Sequence, residues 1–302
     1  MKPLAAPAYF GKIVIRSQQA IRSTFGSSQS KVPVMEKDFA LCSKIIDHMV
    51  QAIARTPVDD TPCKHAMLTD LFPQDVYQTI LSNIPDRAAF RPMSLEHFHD
   101  DKGVSTRDLL ELPEIGVQRI ASHQQALWWA VGAATMSTEV KSAVFAALAP
   151  DLAPVFDCSE AQVNDQPVFV STALRFETES YHMPPHFDVH PRVATMLIYL
   201  PEDVSLDGLG TVLYDYAPKW QRPFRAAHRE VRRAPFLPNS GIFFSGSKRK
   251  VRPGWHGFER PAKAALGNAP RVSLLTTWYT GPKDLHASTP DIIPVMKLPK
   301  AG

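Results

Sequence analysis

The side chains best suited to bind a metal lie in the stretch YHMPPHFDVHPRVATMLIYLP, which begins at Tyr181. A helix is excluded around His186, because Pro184 and Pro185 directly precede it. In an extended chain, residues two apart share a face, so His186 and Asp188 are predicted to point in the same direction. An imidazole and a carboxylate side by side form half of a metal site.

The third ligand is predicted seventy residues farther along the chain, at His256. This histidine follows the β-like run SGIFFSG and a turn, so it can return beside the first strand in a β-roll. Two histidines and one carboxylate leave three adjacent positions open on an octahedral metal, which suits non-haem Fe(II) oxygen chemistry. Zinc is more often closed by a fourth protein ligand or used for hydrolysis.

A carboxylate clamp is predicted in the strand-like run RVSLLTTWY, where Arg271 and Ser273 lie fifteen and seventeen residues beyond His256. The two side chains share a face of the strand. A buried arginine beside a hydroxyl is well suited to hold a carboxylate. Arg260 is a rival clamp, but Pro261 follows it in what is predicted to be a turn, so Arg271 is favoured.

Composition excludes several classes of protein. The chain has 302 residues, of which 44% are hydrophobic, and this is enough for a sizeable core. The longest apolar candidate for a membrane span, ALWWAVGAA, has nine residues, so no span is expected. The three cysteines are far apart and form no CxxC motif. They predict free thiols in a reducing compartment, and we expect a cytoplasmic protein.

Two segments carry an excess of positive charge. Residues 1–35 contain five Lys or Arg and no acid, which predicts a basic N-terminal segment; an organelle transit peptide is the alternative. From Lys219 to Arg252 there are ten Lys or Arg and a single acid, Glu230. A solvated face explains this region, and the alternative is an anionic partner such as a phosphorylated or carrier-bound small molecule. No aromatic-interleaved nucleic-acid motif accompanies this region, so nucleic acid is not expected.

The elements that must position these side chains change in type near residue 150. Helical spacing predicts helices over residues 36–54, 73–84, 115–134 and 138–148, with a polar, loop-rich segment over 86–113. Beyond residue 150, short β-rich runs are separated by Pro, Gly, Asn and Asp, which is typical of an antiparallel barrel or jelly roll. We therefore predict an α+β fold in one catalytic domain, 36–302. Its predicted parts are helical support over 36–150, a jelly-roll core over 151–288 and a tail over 289–302.

Several motifs resemble the 2-oxoglutarate-dependent Fe(II) oxygenases, especially the branch similar to prolyl hydroxylases. They are HFD, YLPEDVSLDGLGTVLY, NSGIFFSGS, GWHGFERP and RVS, and they cover roughly residues 165–282. The resemblance implies a double-stranded β-helix with supporting helices. It also implies Fe(II), dioxygen and 2-oxoglutarate, with ascorbate supporting activity. The implied reaction hydroxylates an unactivated C–H of a small molecule and releases succinate and CO2. Family halogenases lack the carboxylate ligand, so Asp188 argues against chlorination.

Position by position, the resemblance implies that His186, Asp188 and His256 ligate iron. Arg271 would pair with the distal carboxylate of 2-oxoglutarate, and Ser273 would hydrogen-bond to it. Other predicted contacts are Tyr199 and Thr211 to 2-oxoglutarate, with core packing as the alternative, and Arg175, Tyr181 and Trp255 to substrate. Many relatives have GG where this chain reads GLGT, a difference expected to alter only a turn.

Two other readings of the same residues stay open. One is a cupin-like dioxygenase or isomerase that uses the metal without 2-oxoglutarate. The other is a metal-free jelly-roll module that binds an anionic ligand.

The HFHD segment around His97 is metal-like in composition but has no partner at a recognisable spacing, so we predict a surface loop, which can also serve as a lid over the site.

Overall fold

The structure is a computed structural model. It describes residues 37–217, 227–246, 253–258, 270–282 and 292–298. The predictions for residues 1–35 and for Arg260 lie outside the described residues, as do 219–226 and 247–252 of the basic region.

Four helices of the first half match the apolar spacing, and the third of them begins at Ser122, seven residues later than predicted. Asp38 begins the first helix by accepting a hydrogen bond from the Leu41 amide at 2.8 Å, and Ser137 caps the fourth through the Val140 amide. A fifth helix, which the sequence analysis did not predict, begins just before Pro150, because proline is tolerated in a first helical turn. The helices are α1 Phe39–Arg55, α2 Gln74–Ser82, α3 Ser122–Thr135, α4 Thr138–Ala147 and α5 Ala149–Phe156.

The strands form two sheets in which neighbouring strands run antiparallel. The strands are β1 His65–Thr69, β2 Arg91–Pro92, β3 Arg107–Leu112, β4 Phe169–Glu177, β5 Met183–His186, β6 Arg192–Tyr199, β7 Val212–Tyr216, β8 His228–Arg233, β9 Ser240–Ser245, β10 His256–Phe258, β11 Arg271–Tyr279 and β12 Ile293–Pro294. The larger sheet has the order β1-β9-β6-β11-β4-β3-β2, with β12 also paired to β4, and the smaller sheet has the order β5-β10-β7-β8.

The prediction of a loop-rich segment over 86–113 is wrong at its C-terminal end. β3 is buried along its whole length and pairs with β4 in the larger sheet. Its sequence, RDLLEL, does not look like a buried strand because three of its six residues are charged. Those charges are compensated inside the fold: Asp108 pairs with Arg87 at 2.6 Å, and Arg107 pairs with Glu177 at 2.7 Å.

The central strands of the larger sheet, β9, β6, β11 and β4, pack one face on the core under the helices and the other on a second core shared with the smaller sheet. Leu174 and Trp278 belong to the core under the helices, whereas Ala173 and Leu197 belong to a second core that includes Leu213 of the smaller sheet. This is the alternation expected of a strand with both faces covered. The mixed helical and antiparallel α+β class is confirmed.

No helix in the described segments has the length and apolar character that crossing a bilayer requires.

Candidate metal centre and adjoining arginine cluster

The three predicted metal ligands converge. His186 is the last residue of β5 and His256 is the first of β10, and the two are direct partners in the register of the smaller sheet. Asp188 follows β5 on the same face as His186. The potential ligand atoms of the three side chains all lie within 4.8 Å of one another. A single small ion can therefore contact all three.

Hydrogen bonds select the ring nitrogen that each histidine offers. Nδ1 of His186 lies 3.0 Å from the carbonyl oxygen of Pro184, and Nδ1 of His256 lies 2.8 Å from that of Gly254. A carbonyl oxygen can only accept, so each Nδ1 carries the proton and donates it. Each Nε2 is then left with a lone pair, which is the arrangement that orients metal-binding histidines.

The electrostatic environment favours the protonation states that bind metal. Burial, followed by the neighbouring His256, lowers the pKa of His186 to about 3. Burial also lowers the pKa of His256. Burial alone would raise the pKa of Asp188, but His256 and Arg192 outweigh it and the pKa is lowered. At neutral pH the site thus presents two neutral imidazoles and one carboxylate.

Asp188 is held in place from several sides. Thr195 Oγ1 donates to Asp188 Oδ2 at 2.7 Å, and Arg192 Nη1 lies 3.2 Å from Oδ1. Gly246, just after β9, leaves room for the Asp188 side chain. A Cβ at position 246 would lie 2.9 Å from the Cβ of Asp188, which is too close. The carboxylate is 5% exposed and its orientation is fixed by these contacts.

This donor set fits a divalent iron ion better than a structural zinc. Among the residues that the structure describes, no fourth His, Cys, Asp or Glu joins the group. Two neutral imidazoles and a carboxylate match the facial arrangement used for non-haem Fe(II), which keeps further positions for small molecules. Structural zinc sites are closed by four protein ligands.

Replacement of Thr195 by valine tests how strongly the carboxylate orientation matters. The substitution keeps the shape of the side chain and removes the donor to Asp188. We expect metal affinity to fall by about 10–100-fold, as is usual when the hydrogen-bond partner of a ligand is lost. Isothermal titration with Fe(II) under anaerobic conditions measures it. Thr277→Val is the matched control, because Thr277 pairs with Thr195 across the sheet and also lines the cavity. An unchanged affinity in Thr195→Val would show that this hydrogen bond does not support the site.

A cavity of about 610 Å³ adjoins the three ligands, which is within the range of small-molecule sites. Four arginines line it: Arg107, Arg175, Arg192 and Arg271. The HFHD segment contributes as well, because His97 and His99 lie in the wall. This position fits a cover for the site better than a simple surface loop.

Arg271 is the first residue of β11 and is 4% exposed. Its Nε donates to the carbonyl oxygen of Leu209 at 2.8 Å, and its Nη1 pairs with Glu177 Oε2. The GLGT turn therefore shapes the arginine site directly. Gly210 is required there, because a Cβ would lie 1.4 Å from the carbonyl oxygen of Ala234.

Glu177 is surrounded by guanidinium groups. On β4 it lies opposite Arg107 of β3 on one side and Arg271 of β11 on the other. Arg107 Nη2 lies 2.7 Å from Glu177 Oε1, and Arg175 Nη1 lies 3.6 Å from the same oxygen. Burial would raise the pKa of Glu177, but Arg271, Arg107 and Arg175 together lower it. One ionised carboxylate thus faces three arginines, and the cluster keeps an excess of positive charge.

Aromatic rings support the cluster. The Arg107 guanidinium lies 4.1 Å from the ring centre of Tyr181 and 4.7 Å from that of Phe98. Arg271 lies 4.9 Å from Phe258, and Tyr181 and Phe258 stack with centres 5.6 Å apart. Such contacts stabilise arginines that have little access to water.

The other predicted site residues differ in position. Ser273 is buried, and its hydroxyl has no hydrogen-bond partner in the described part of the chain. Tyr199 donates to Thr211 Oγ1 at 2.9 Å, and Thr211 lines the cavity, as do Arg175 and Tyr181. Trp255 packs on Phe187 and His228 and is absent from the described cavity wall.

Sequence reasoning missed four residues of the site. Glu177 and Thr195 could have been found, since Glu177 lies two positions beyond Arg175 and Thr195 lies within the predicted strand RVATMLIYL. Both face the cavity side by the simple alternation of a strand. Arg107 and Arg192 had no such signal, because the first lies in the segment predicted as loop and the second at a strand end.

Comparisons with known proteins give matches only among solved structures. No family model and no curated protein matches the chain. A prolyl-4-hydroxylase from Pseudomonas putida matches at 10% identity and a TM-score of 0.42, over 78% of this chain and 99% of that one. HygX from Streptomyces hygroscopicus, with nickel, 2-oxoglutarate and hygromycin B bound, matches at 10% identity and a TM-score of 0.34, over 76% and 92%. AtDAO1 from Arabidopsis thaliana, in a complex with 2-oxoglutarate, matches at 11% identity and a TM-score of 0.38, over 83% and 82%.

Proposed function

We propose that this protein is an Fe(II)- and 2-oxoglutarate-dependent oxygenase that hydroxylates an unactivated C–H of a small molecule. The observation that supports it most is the convergence of His186, Asp188 and His256 beside a buried arginine cluster with excess positive charge. In this proposal the two antiparallel sheets form a double-stranded β-helix, with the metal ligands on the smaller sheet and the arginines on the larger one.

The three ligands would hold Fe(II) through two imidazole Nε2 atoms and the Asp188 carboxylate. When bound together, iron and 2-oxoglutarate supply the oxidising chemistry: dioxygen and 2-oxoglutarate are consumed, succinate and CO2 are released, and one C–H becomes C–OH. The protein contributes orientation, because the backbone carbonyls of Pro184 and Gly254 fix the two rings.

Arg271 would bind the distal carboxylate of 2-oxoglutarate. It is buried, lines the cavity and uses one nitrogen on Leu209 and another on Glu177, which leaves further guanidinium donors for a ligand. The hydroxyl of Ser273, which faces the same side of the strand, is a second donor without a partner in the described segments. A diacid placed between this end and the metal would pair with Arg271, whereas Ser273 lies behind the described cavity wall and would need a small shift to reach it.

A direct assay tests the proposal. The purified protein is supplied with Fe(II), ascorbate, 2-oxoglutarate and dioxygen, and succinate is counted. Succinate formation that depends on both iron and 2-oxoglutarate supports the assignment. Stoichiometric iron without any binding of 2-oxoglutarate would favour the cupin-like alternative instead.

Arg271→Gln is expected to raise the KM for 2-oxoglutarate by at least about tenfold, equivalent to 1.4 kcal/mol of lost binding. The reason is the loss of a buried guanidinium that pairs with a carboxylate. Steady-state succinate formation at varied 2-oxoglutarate measures it. Arg55→Gln, an exposed change on α1, is the control and should leave KM unchanged. Equal KM values in the two variants would remove Arg271 from the cosubstrate site.

A further inference from the structure

Arg175 is a cavity arginine that makes no hydrogen bond to the residues that the structure describes. Its side chain is 13% exposed, and the nearest carboxylate oxygen, Glu177 Oε1, lies 3.6 Å from Nη1, beyond hydrogen-bond length. Its Nε is buried and has no partner in the described part of the chain. Burying a guanidinium without hydrogen bonds costs folding free energy. Such a group is typical of a site whose partner is a ligand.

The charge of the cavity exceeds what 2-oxoglutarate requires. Among the described residues, four arginines line it, and the acids paired with them are Asp188, a proposed metal ligand, and Glu177. Burial lowers the pKa of Arg175 to about 10, so its guanidinium stays charged at neutral pH. If Arg271 takes the distal carboxylate of the cosubstrate, Arg107 and Arg175 still share a single carboxylate between them. A second anion would balance this pair.

The surroundings of the pair suggest the rest of the ligand. Phe98 and Tyr181 lie against the Arg107 guanidinium, and Phe258 stacks on Tyr181. All three rings line the cavity together with Leu109. Leu109 and Arg175 are direct partners across β3 and β4. The anion site is thus bordered by flat, apolar surface, which favours an apolar group next to the charged one.

We propose that Arg175, together with Arg107, binds an oxyanion of the substrate, and that the substrate is a small molecule with an apolar body and a carboxylate or phosphate group. This inference rests on the proposed function, in which Arg271 binds the cosubstrate. It makes Arg175 a specificity-determining residue that selects anionic substrates over neutral ones of the same shape.

The test uses a simple pair of probes and the full-length protein loaded with Fe(II) and 2-oxoglutarate under anaerobic conditions. Isothermal titration compares 3-phenylpropanoate with its neutral amide, 3-phenylpropanamide, and inorganic phosphate is added as a competitor. The carboxylate is expected to bind at least about tenfold more tightly than the amide, a difference of 1.4 kcal/mol. Competition by phosphate would identify a site that accepts both oxyanions, and its absence would identify a carboxylate site.

Variants locate the preference. Arg175→Gln is expected to abolish the difference in affinity between the two probes. It should weaken the binding of 2-oxoglutarate far less than Arg271→Gln does. Arg55→Gln is the control and should keep the difference. The inference is overturned if the wild type shows no preference for the carboxylate probe, or if Arg175→Gln keeps that preference. It is also overturned if Arg175→Gln weakens the binding of 2-oxoglutarate as strongly as Arg271→Gln does.

Failure of the proposed function would show separately, as an absence of 2-oxoglutarate binding in the loading step. The probes are then titrated into protein that holds Fe(II) alone. A carboxylate preference lost in Arg175→Gln would still support the oxyanion site, and no preference would overturn it.

Discussion

His256→Ala is expected to eliminate stoichiometric Fe(II) binding and to lower succinate formation by at least about 100-fold. Loss of a mere hydrogen-bond partner of a ligand costs about 10–100-fold in metal affinity or activity, so loss of a ligand itself should cost at least the upper end. His256 is 8% exposed and lies directly opposite His186. Among the described residues, no further His, Cys, Asp or Glu lies close enough to take its place as a ligand. Metal analysis after anaerobic loading and the succinate assay measure the two effects.

The control for this prediction is His123→Ala. His123 is an exposed histidine at the start of α3 and should change neither iron content nor activity. His256 also packs on Phe244 at 4.5 Å between ring centres, so thermal unfolding of both variants must be compared. A folded His256→Ala protein that keeps one equivalent of iron and full activity would refute the metal site.

Glu177→Gln is expected to destabilise the fold by roughly 3–5 kcal/mol, the usual cost of removing one partner from a buried ion pair. Glu177 is fully buried, and without its charge Arg107 and Arg271 would face each other across β4 with no carboxylate between them. Equilibrium unfolding in urea measures the change. Glu179→Gln is the matched control, because it is the same substitution two residues farther along and outside the cluster.

Two further measurements separate charge from packing in this variant. The folded-state pKa of Glu177 is lowered, so its contribution to stability is present above the ordinary glutamate pKa and is lost as the pH falls through the lowered value. The glutamine variant should lack this component. Added 2-oxoglutarate should stabilise the variant more than the wild type, because an anion can then replace the missing charge. A loss of less than about 1 kcal/mol, or no difference in the response to the anion, would contradict the role assigned to Glu177.

The sequence predicts the convergence of His186, Asp188 and His256 for a physical reason. The two prolines before His186 enforce an extended chain, so the relation of His186 to Asp188 follows from strand geometry alone. His256 requires a long-range contact, and it is found because a histidine after a strand and a turn has few ways to return to the sheet. The helices α1 to α4 follow from apolar spacing in the same way.

The arginine cluster is much harder to predict, because it depends on which strands are neighbours. From its sequence, β3 is predicted to be a polar loop, because the pairing of Arg107 with Glu177 is not visible there. In the same way, Glu177 is predicted to be an exposed strand end, because its neighbours Arg107 and Arg271 lie on other strands. Each residue is explained only by the others. Buried ion pairs therefore hide a strand from sequence analysis that hydrophobic alternation would otherwise reveal.

The most direct test of the central claim is the anaerobic titration of 2-oxoglutarate with and without Fe(II). The three ligands and the arginine cluster border one cavity, so iron and cosubstrate should bind side by side and depend on each other. We expect one equivalent of 2-oxoglutarate to bind to the iron-loaded protein, with at least about tenfold weaker binding to the metal-free protein. Equal affinity in the two cases, or no binding in either, would contradict it.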